Sequence, residues 1–118
     1  MGQTVAHERS VEERYRALCM LMLVFRYGYY ARAKIIISEA QYNAFDQLLR
    51  DFEKVFPGIQ YPKSPTQTVG SDNWRDYPRS VICSWHEHEE TGWLAHWAMD
   101  IDELIDSSRA FLKGESSR

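Results

Sequence analysis

The segment from Ser38 to Gly58 admits few conformations. It opens on Ser38-Glu-Ala-Gln41, a capping box in which the serine and glutamine side chains satisfy two backbone donors at a helix start. Apolar residues then fall at Tyr42, Phe45, Leu49, Phe52 and Phe56, in alternating steps of three and four that put them on one face of an α-helix. Pro57-Gly58 ends it. A helix with one apolar face needs a partner. Upstream, Ser10-Val-Glu-Glu13 reads as another capping box, followed by Val11, Tyr15, Leu18, Met22 and Phe25 at helical spacing. Gly28 weakens the end of this first helix, which is expected to run to about Tyr30 or Arg32. Joined by a short connector, the two helices should pack antiparallel, stripe to stripe.

Residues 57–80 are rich in Pro, Ser, Thr, Gly and Asp and read as an extended loop. Beyond it, Val81, Cys83 and Trp85 alternate with Ile82, Ser84 and His86, so Ser80–His86 and Trp93–Met99 read as two strands turning at Thr91-Gly92. The second of these also fits a helical period through Leu94, Trp97, Ile101, Leu104, Ser108 and Phe111. A final helix is expected from about Asp100 to Leu112. The expected fold is therefore α+β: an antiparallel helix pair, a long loop, a small β-hairpin and a C-terminal helix in one domain, 1–118.

Composition excludes several classes. With 118 residues, 44% hydrophobic and 26% charged, the chain is long enough for one core without a disulfide or metal to hold it. Its longest apolar run, Ala17–Phe25, is nine residues, under half the ~20 needed to cross a bilayer. No signal peptide is legible, and Cys19 and Cys83 have no paired spacing; both read as free buried thiols of a cytoplasmic protein. Charge is uneven. Residues 1–79 hold 11 Lys/Arg against 9 Asp/Glu, and residues 80–118 hold 3 against 8, which argues against direct nucleic-acid binding by the C-terminal third.

From Tyr29 the chain reads YYARAKIIISEAQYNAFDQLLRDFEKVFPGIQYPKSPTQTVG, ending at Gly70. With looser similarity back to about Val11, this resembles the N-terminal, nicotinamide-recognising (Ia-type) domain of bacterial NAD-dependent DNA ligases. Ser64-Pro-Thr-Gln-Thr-Val-Gly70 and Ile37-Ser38-x-Ala40-x-Tyr42 carry the resemblance most specifically. It implies NAD or nicotinamide mononucleotide as cofactor, contacted by Tyr29, Tyr30, Glu39, Tyr42 and Asn43. These residue types suit such a ligand. Aromatic faces attract a flat pyridinium cation, carboxylates and amides meet ribose hydroxyls, and the first turn of a helix offers N–H groups to a phosphate. Two aspartates of the family pattern are replaced by Glu39 and Asn43, and Arg32 and Lys34 add positive charge nearby. None of Lys34, Lys54, Lys63 and Lys113 begins the K-x-D-G motif of an adenylated lysine, so no enzyme activity is expected of this chain on its own.

Outside that region, His86, Glu87 and His88 with His96 across the hairpin invite a metal reading, but their spacing is too weak a signal to assign one. Trp74, Trp85, Trp93 and Trp97 all lie in the C-terminal half amid excess acid. Trp74, in an exposed loop, with Glu87, Glu89 and Glu90, suggests a protein-binding surface. Two functions follow: a stand-alone ligase Ia-like module binding NAD or its nicotinamide half, or a non-catalytic interaction or regulatory protein of phage or mobile-element type, using the helix pair as scaffold.

Overall fold

The computed structural model describes the backbone of residues 2–116 and the side chains of residues 10–115. Five α-helices account for most of it: α1 (Gly2–Arg32), α2 (Glu39–Val55), α3 (Arg79–Thr91), α4 (Trp93–Met99) and α5 (Ile101–Ser116). At ~1.5 Å per residue α1 should be about 46 Å long, and the molecule's long axis is 45 Å. This helix is the spine. From Leu18 to Tyr27 every one of its side chains is buried or half-buried, which demands neighbours on more than one face. The helix begins well before Ser10, so Ser10-Glu13 is not its cap; no proline in residues 2–9 stops it earlier, and Ser10 sits exposed in mid-helix.

α2 follows its sequence. Ser38 is the N-cap, its hydroxyl accepts from the Gln41 N–H at 3.1 Å, and the Gln41 side chain accepts from the Ser38 N–H at 2.9 Å. Phe45, Leu48, Leu49 and Phe52 are buried on the side of α2 that packs on α1 and α5. Tyr15 meets Glu53 and Arg26 meets Tyr42, so the helices run antiparallel. α5 runs alongside α2, with Phe52 and Phe111 stacked at 6.5 Å and Gln41 reaching Asp102.

The expected hairpin is absent: among the described residues there is no strand, and the fold is all-α rather than α+β. Ser80–His86 lies in α3 and Trp93–Met99 is α4. Val81 and Trp85, four residues apart, are buried, and the His88 ring packs on Trp85 at 4.9 Å, so one helical face covers the far end of α1. Alternation at 81, 83 and 85 is compatible with a strand, but α1's apolar second face needs broad cover, which a lone two-stranded hairpin supplies poorly. Gly92, at φ 73°, caps α3 and hands the chain to α4 instead of turning a hairpin. Cys83 is on the outer face of α3 and exposed, while Cys19 is buried as expected.

Gly28 does more than weaken a helix end. A Cβ built there would overlap the Trp85 ring at Cζ3, so the missing side chain is what allows α3 to close on α1. Alanine is ordinarily better than glycine in a helix by up to ~1 kcal/mol. Here Gly28→Ala is instead expected to destabilise by ~1–3 kcal/mol through overpacking. Urea unfolding followed by tryptophan fluorescence decides the sign.

Candidate functional site

The exit of α1, the connector after it and the first turn of α2 enclose a cavity of about 440 Å³. Tyr29, Tyr30, Glu39, Tyr42 and Asn43 all line it, together with Phe25 and the Ile35–Ile37 run. Tyr29 and Tyr30 are half-exposed and meet edge to face, with ring centroids 4.9 Å apart. Opposite charge comes from Glu39 on α2, while Tyr42 is half-buried and accepts a hydrogen bond from Arg26 Nε at 2.8 Å. Burial raises the Tyr42 phenol above its ordinary range against the lowering pull of Arg26, so it stays a neutral ring. The capping box occupies the N–H groups of Ser38 and Gln41; those of Glu39 and Ala40 are the first-turn donors it leaves. Arg32 turns away to pair with Glu89 at 3.1 Å, and neither Arg32 nor Lys34 lines the cavity. The cationic neighbours that the sequence set beside the site thus stand outside it.

The Ser64–Gly70 segment holds this cavity from behind. Arg26 is buried, and its guanidinium donates to Pro65 O (2.7 Å), Thr68 O (3.0 Å) and Thr68 Oγ1 (3.1 Å) as well as to Tyr42. Buried Glu53 takes the Thr66 hydroxyl at 2.6 Å and the Tyr15 hydroxyl at 2.5 Å. Gly70 closes the segment against Tyr30, where a Cβ would overlap the ring. Loop polar groups that would otherwise be buried unpaired are satisfied from two helices. Neither Arg26 nor Glu53 was singled out by the sequence. Their signal was faint but present: Arg26 directly follows the apolar run, and Glu53 sits four residues after Leu49, on the buried face of α2.

A model of the family described as DNA ligase-like, N-terminal NAD+-binding domain, matches residues 8–70, just over half of the chain. The chain belongs to this family. Among curated relatives, a DNA ligase of Petrotoga mobilis is 36% identical over 62 residues, covering 52% of this chain and 9% of the ligase. A DNA ligase of Halothermothrix orenii is 30% identical over 104 residues, 85% of this chain and 16% of the ligase. One from Persephonella marina is 39% identical over 51 residues, 43% of this chain and 7% of the ligase. The chain thus spans less than a fifth of the length of these relatives. No solved structure matches significantly.

In this ligase-like domain the other candidates separate. Trp85 is core, Trp93 is half-buried with its indole N–H donating to Ser84 O at 3.0 Å, and Trp97 and Trp74 are exposed. Trp74 stands 56% exposed in a short 3-10 turn, with Arg75 over its ring. Glu87 and Glu90 face solvent, whereas Glu89 bridges Arg32 and His86. The metal reading loses its premise, since His86 and His88 share a face only in a strand. On α3 they part: His86 bonds Glu89, and His88 Nδ1 accepts from the Leu94 N–H. Among the described residues no three metal-ligating side chains converge, and no helix is long and apolar enough to cross a membrane.

The buried network behind the site carries a pH signature. Burial pushes the Cys19 thiol up to about 11 from its ordinary 9.0. Burial, and then the bond to Glu53, holds the Tyr15 phenol well above its ordinary 10.0. Both folded values are raised, so the stability they contribute is complete below pH 9 and is lost as pH rises. Between pH 9 and 11 the unfolded thiol ionises and the folded one does not, costing on the order of 2 kcal/mol at ~1.4 kcal/mol per unit. Urea titrations across that range should show the fall. Cys19→Ala should flatten it below pH 10 and leave the later fall caused by Tyr15 and by Tyr42 and Tyr77, whose phenols burial also raises.

Proposed function

We propose that this chain is a cofactor-recognition module that binds the nicotinamide mononucleotide half of NAD+ in the cavity between α1 and α2. The observation that carries the proposal is the convergence of Tyr29, Tyr30, Glu39, Tyr42 and Asn43 on one concave space of about 440 Å³, within the ~300–1,000 Å³ usual for small-molecule sites. The pyridinium ring would lie against the faces of Tyr29 and Tyr30, held by cation–π attraction. Glu39 would balance the ring's charge and, with the Asn43 amide, receive ribose hydroxyls. The free N–H groups of Glu39 and Ala40 would meet the phosphate at the positive end of α2. Covalent transfer of a nucleotide, as the relatives' name of DNA ligase implies for them, would need a separate catalytic unit carrying a nucleophilic lysine.

Calorimetry and NMR with nicotinamide mononucleotide test this. Binding is expected to be weak, because the cavity is open on one side. Tyr29→Ala should lower affinity by about threefold, the worth of an exposed cation–π contact. Asn43→Asp should raise it by adding a carboxylate beside the cation. Gly70→Ala should lower it by pushing Tyr30 out of place. No heat and no chemical-shift change at millimolar nucleotide would remove the proposal.

A second reading rests on Trp74. An aromatic side chain 56% exposed, in a turn held by the Ser71–Asp76 and Ser71–Tyr77 hydrogen bonds, has the form of an interface anchor. With the acids Glu87, Glu89 and Glu90 it would suit a basic protein partner. Trp74→Ala and a Glu87/Glu89/Glu90→Gln triple change should then weaken capture of that partner in a salt-dependent way while leaving nucleotide binding intact.

A further inference from the structure

We propose that a second cavity, further along α1, binds a small amphiphile with a carboxylate head and a medium-length apolar tail. This cavity is about 420 Å³ and shares no lining residue with the nucleotide site. Its walls are Leu21 and Val24 of α1 with Trp93 and Trp97 of α4, and Arg14 and Ser108 also line it. α1 runs antiparallel here to α5, so the two ends of the cavity differ. Arg14 lies over Phe111, one turn beyond Ser108 on α5, whereas Trp93 bonds Ser84 of α3, whose neighbour Trp85 packs on Gly28 at the other end of α1. Arg14 to Val24 covers ten residues of α1, or about 15 Å of groove.

Two observations identify the head. Ser108 is wholly buried, lines the cavity, and its hydroxyl has no hydrogen-bond partner. Such a group is costly to leave unmade and is stabilised by any ligand that offers an acceptor. Arg14 is the one charged residue lining the cavity, and no salt bridge among the described residues involves it. A cation and an unsatisfied hydroxyl, with no carboxylate between them, select an anionic oxygen head. Apart from Ser84, whose carbonyl accepts the Trp93 indole N–H, the remaining wall is apolar, and Trp97 in it is half-exposed, which suits an apolar tail.

The test is titration of the full chain with dodecanoate below its micelle concentration, read by tryptophan fluorescence, with dodecylammonium as the opposite charge. Dodecanoate should give a saturable change and dodecylammonium none. Arg14→Gln should weaken binding about tenfold or more, the usual worth of a charge-assisted hydrogen bond. Ala17→Phe, at an exposed position lining the groove, should fill it and abolish binding without disturbing the core. Ser108→Ala should weaken binding a few-fold and at the same time raise the thermal midpoint, because it removes a buried unpaired hydroxyl; a merely structural serine would lose stability instead. Equal binding of both amphiphiles, or unchanged affinity in Arg14→Gln, overturns the proposal. Concentration-dependent self-association that Ala17→Phe abolishes would assign the groove to a second copy of the chain, and overturns it as well.

Discussion

Replacing Arg26 with methionine is expected to cost about 3 kcal/mol and to disrupt the cavity between α1 and α2 in the same step. Methionine keeps most of the side chain's length and apolar stem, so the loss isolates the guanidinium. That group satisfies Pro65 O, Thr68 O and Oγ1, and the Tyr42 hydroxyl. Each buried polar atom left unpaired costs ~1–3 kcal/mol, reduced where the loop can move out to water. The relaxed loop would no longer press Gly70 against Tyr30, and Tyr42 would lose its tether, so two of the three tyrosine rings lining the cavity would be freed. Arg26→Lys should recover only part of the stability, since one ammonium cannot reproduce a planar fork with four acceptors. Urea unfolding gives the energy, and amide shifts at Gly70 and Tyr30 report the loop. A methionine variant with native stability and native shifts would show that the loop holds its place without Arg26.

Leu49→Ala is expected to cost ~2–5 kcal/mol, the range for emptying a fully buried leucine site. Leu49 has no exposed surface and sits at the centre of the α2 stripe. The neighbouring Arg50 is 53% exposed and holds Asp46 at 2.8 Å across one helical turn. Arg50→Ala should therefore cost no more than ~0.5 kcal/mol. Denaturant midpoints of the pair measure the register of α2 directly; equal losses at both positions would mean that α2 is rotated from the orientation described.

The sequence alone determined α2. Its cap, its apolar face and its proline stop are local signals, each acting within a few residues, so no knowledge of the rest of the chain was needed to read them. Tyr29, Tyr30, Glu39, Tyr42 and Asn43 were marked by the resemblance to the ligase family, and the antiparallel packing of α1 and α2 is what brings them to one cavity. Only tertiary structure decided the C-terminal half. Val81 and Trp85 share a face in a strand and in a helix alike, while Cys83 shares it only in a strand; the choice fell to helix because the second apolar face of α1 had to be covered, and Cys83 was left exposed. The buried placement of Arg26 and Glu53, and the contact of Gly28 with Trp85, were likewise beyond local reading. A charge becomes a buried tie, and a glycine a point of helix contact, only when a segment distant in the chain arrives to pack against it.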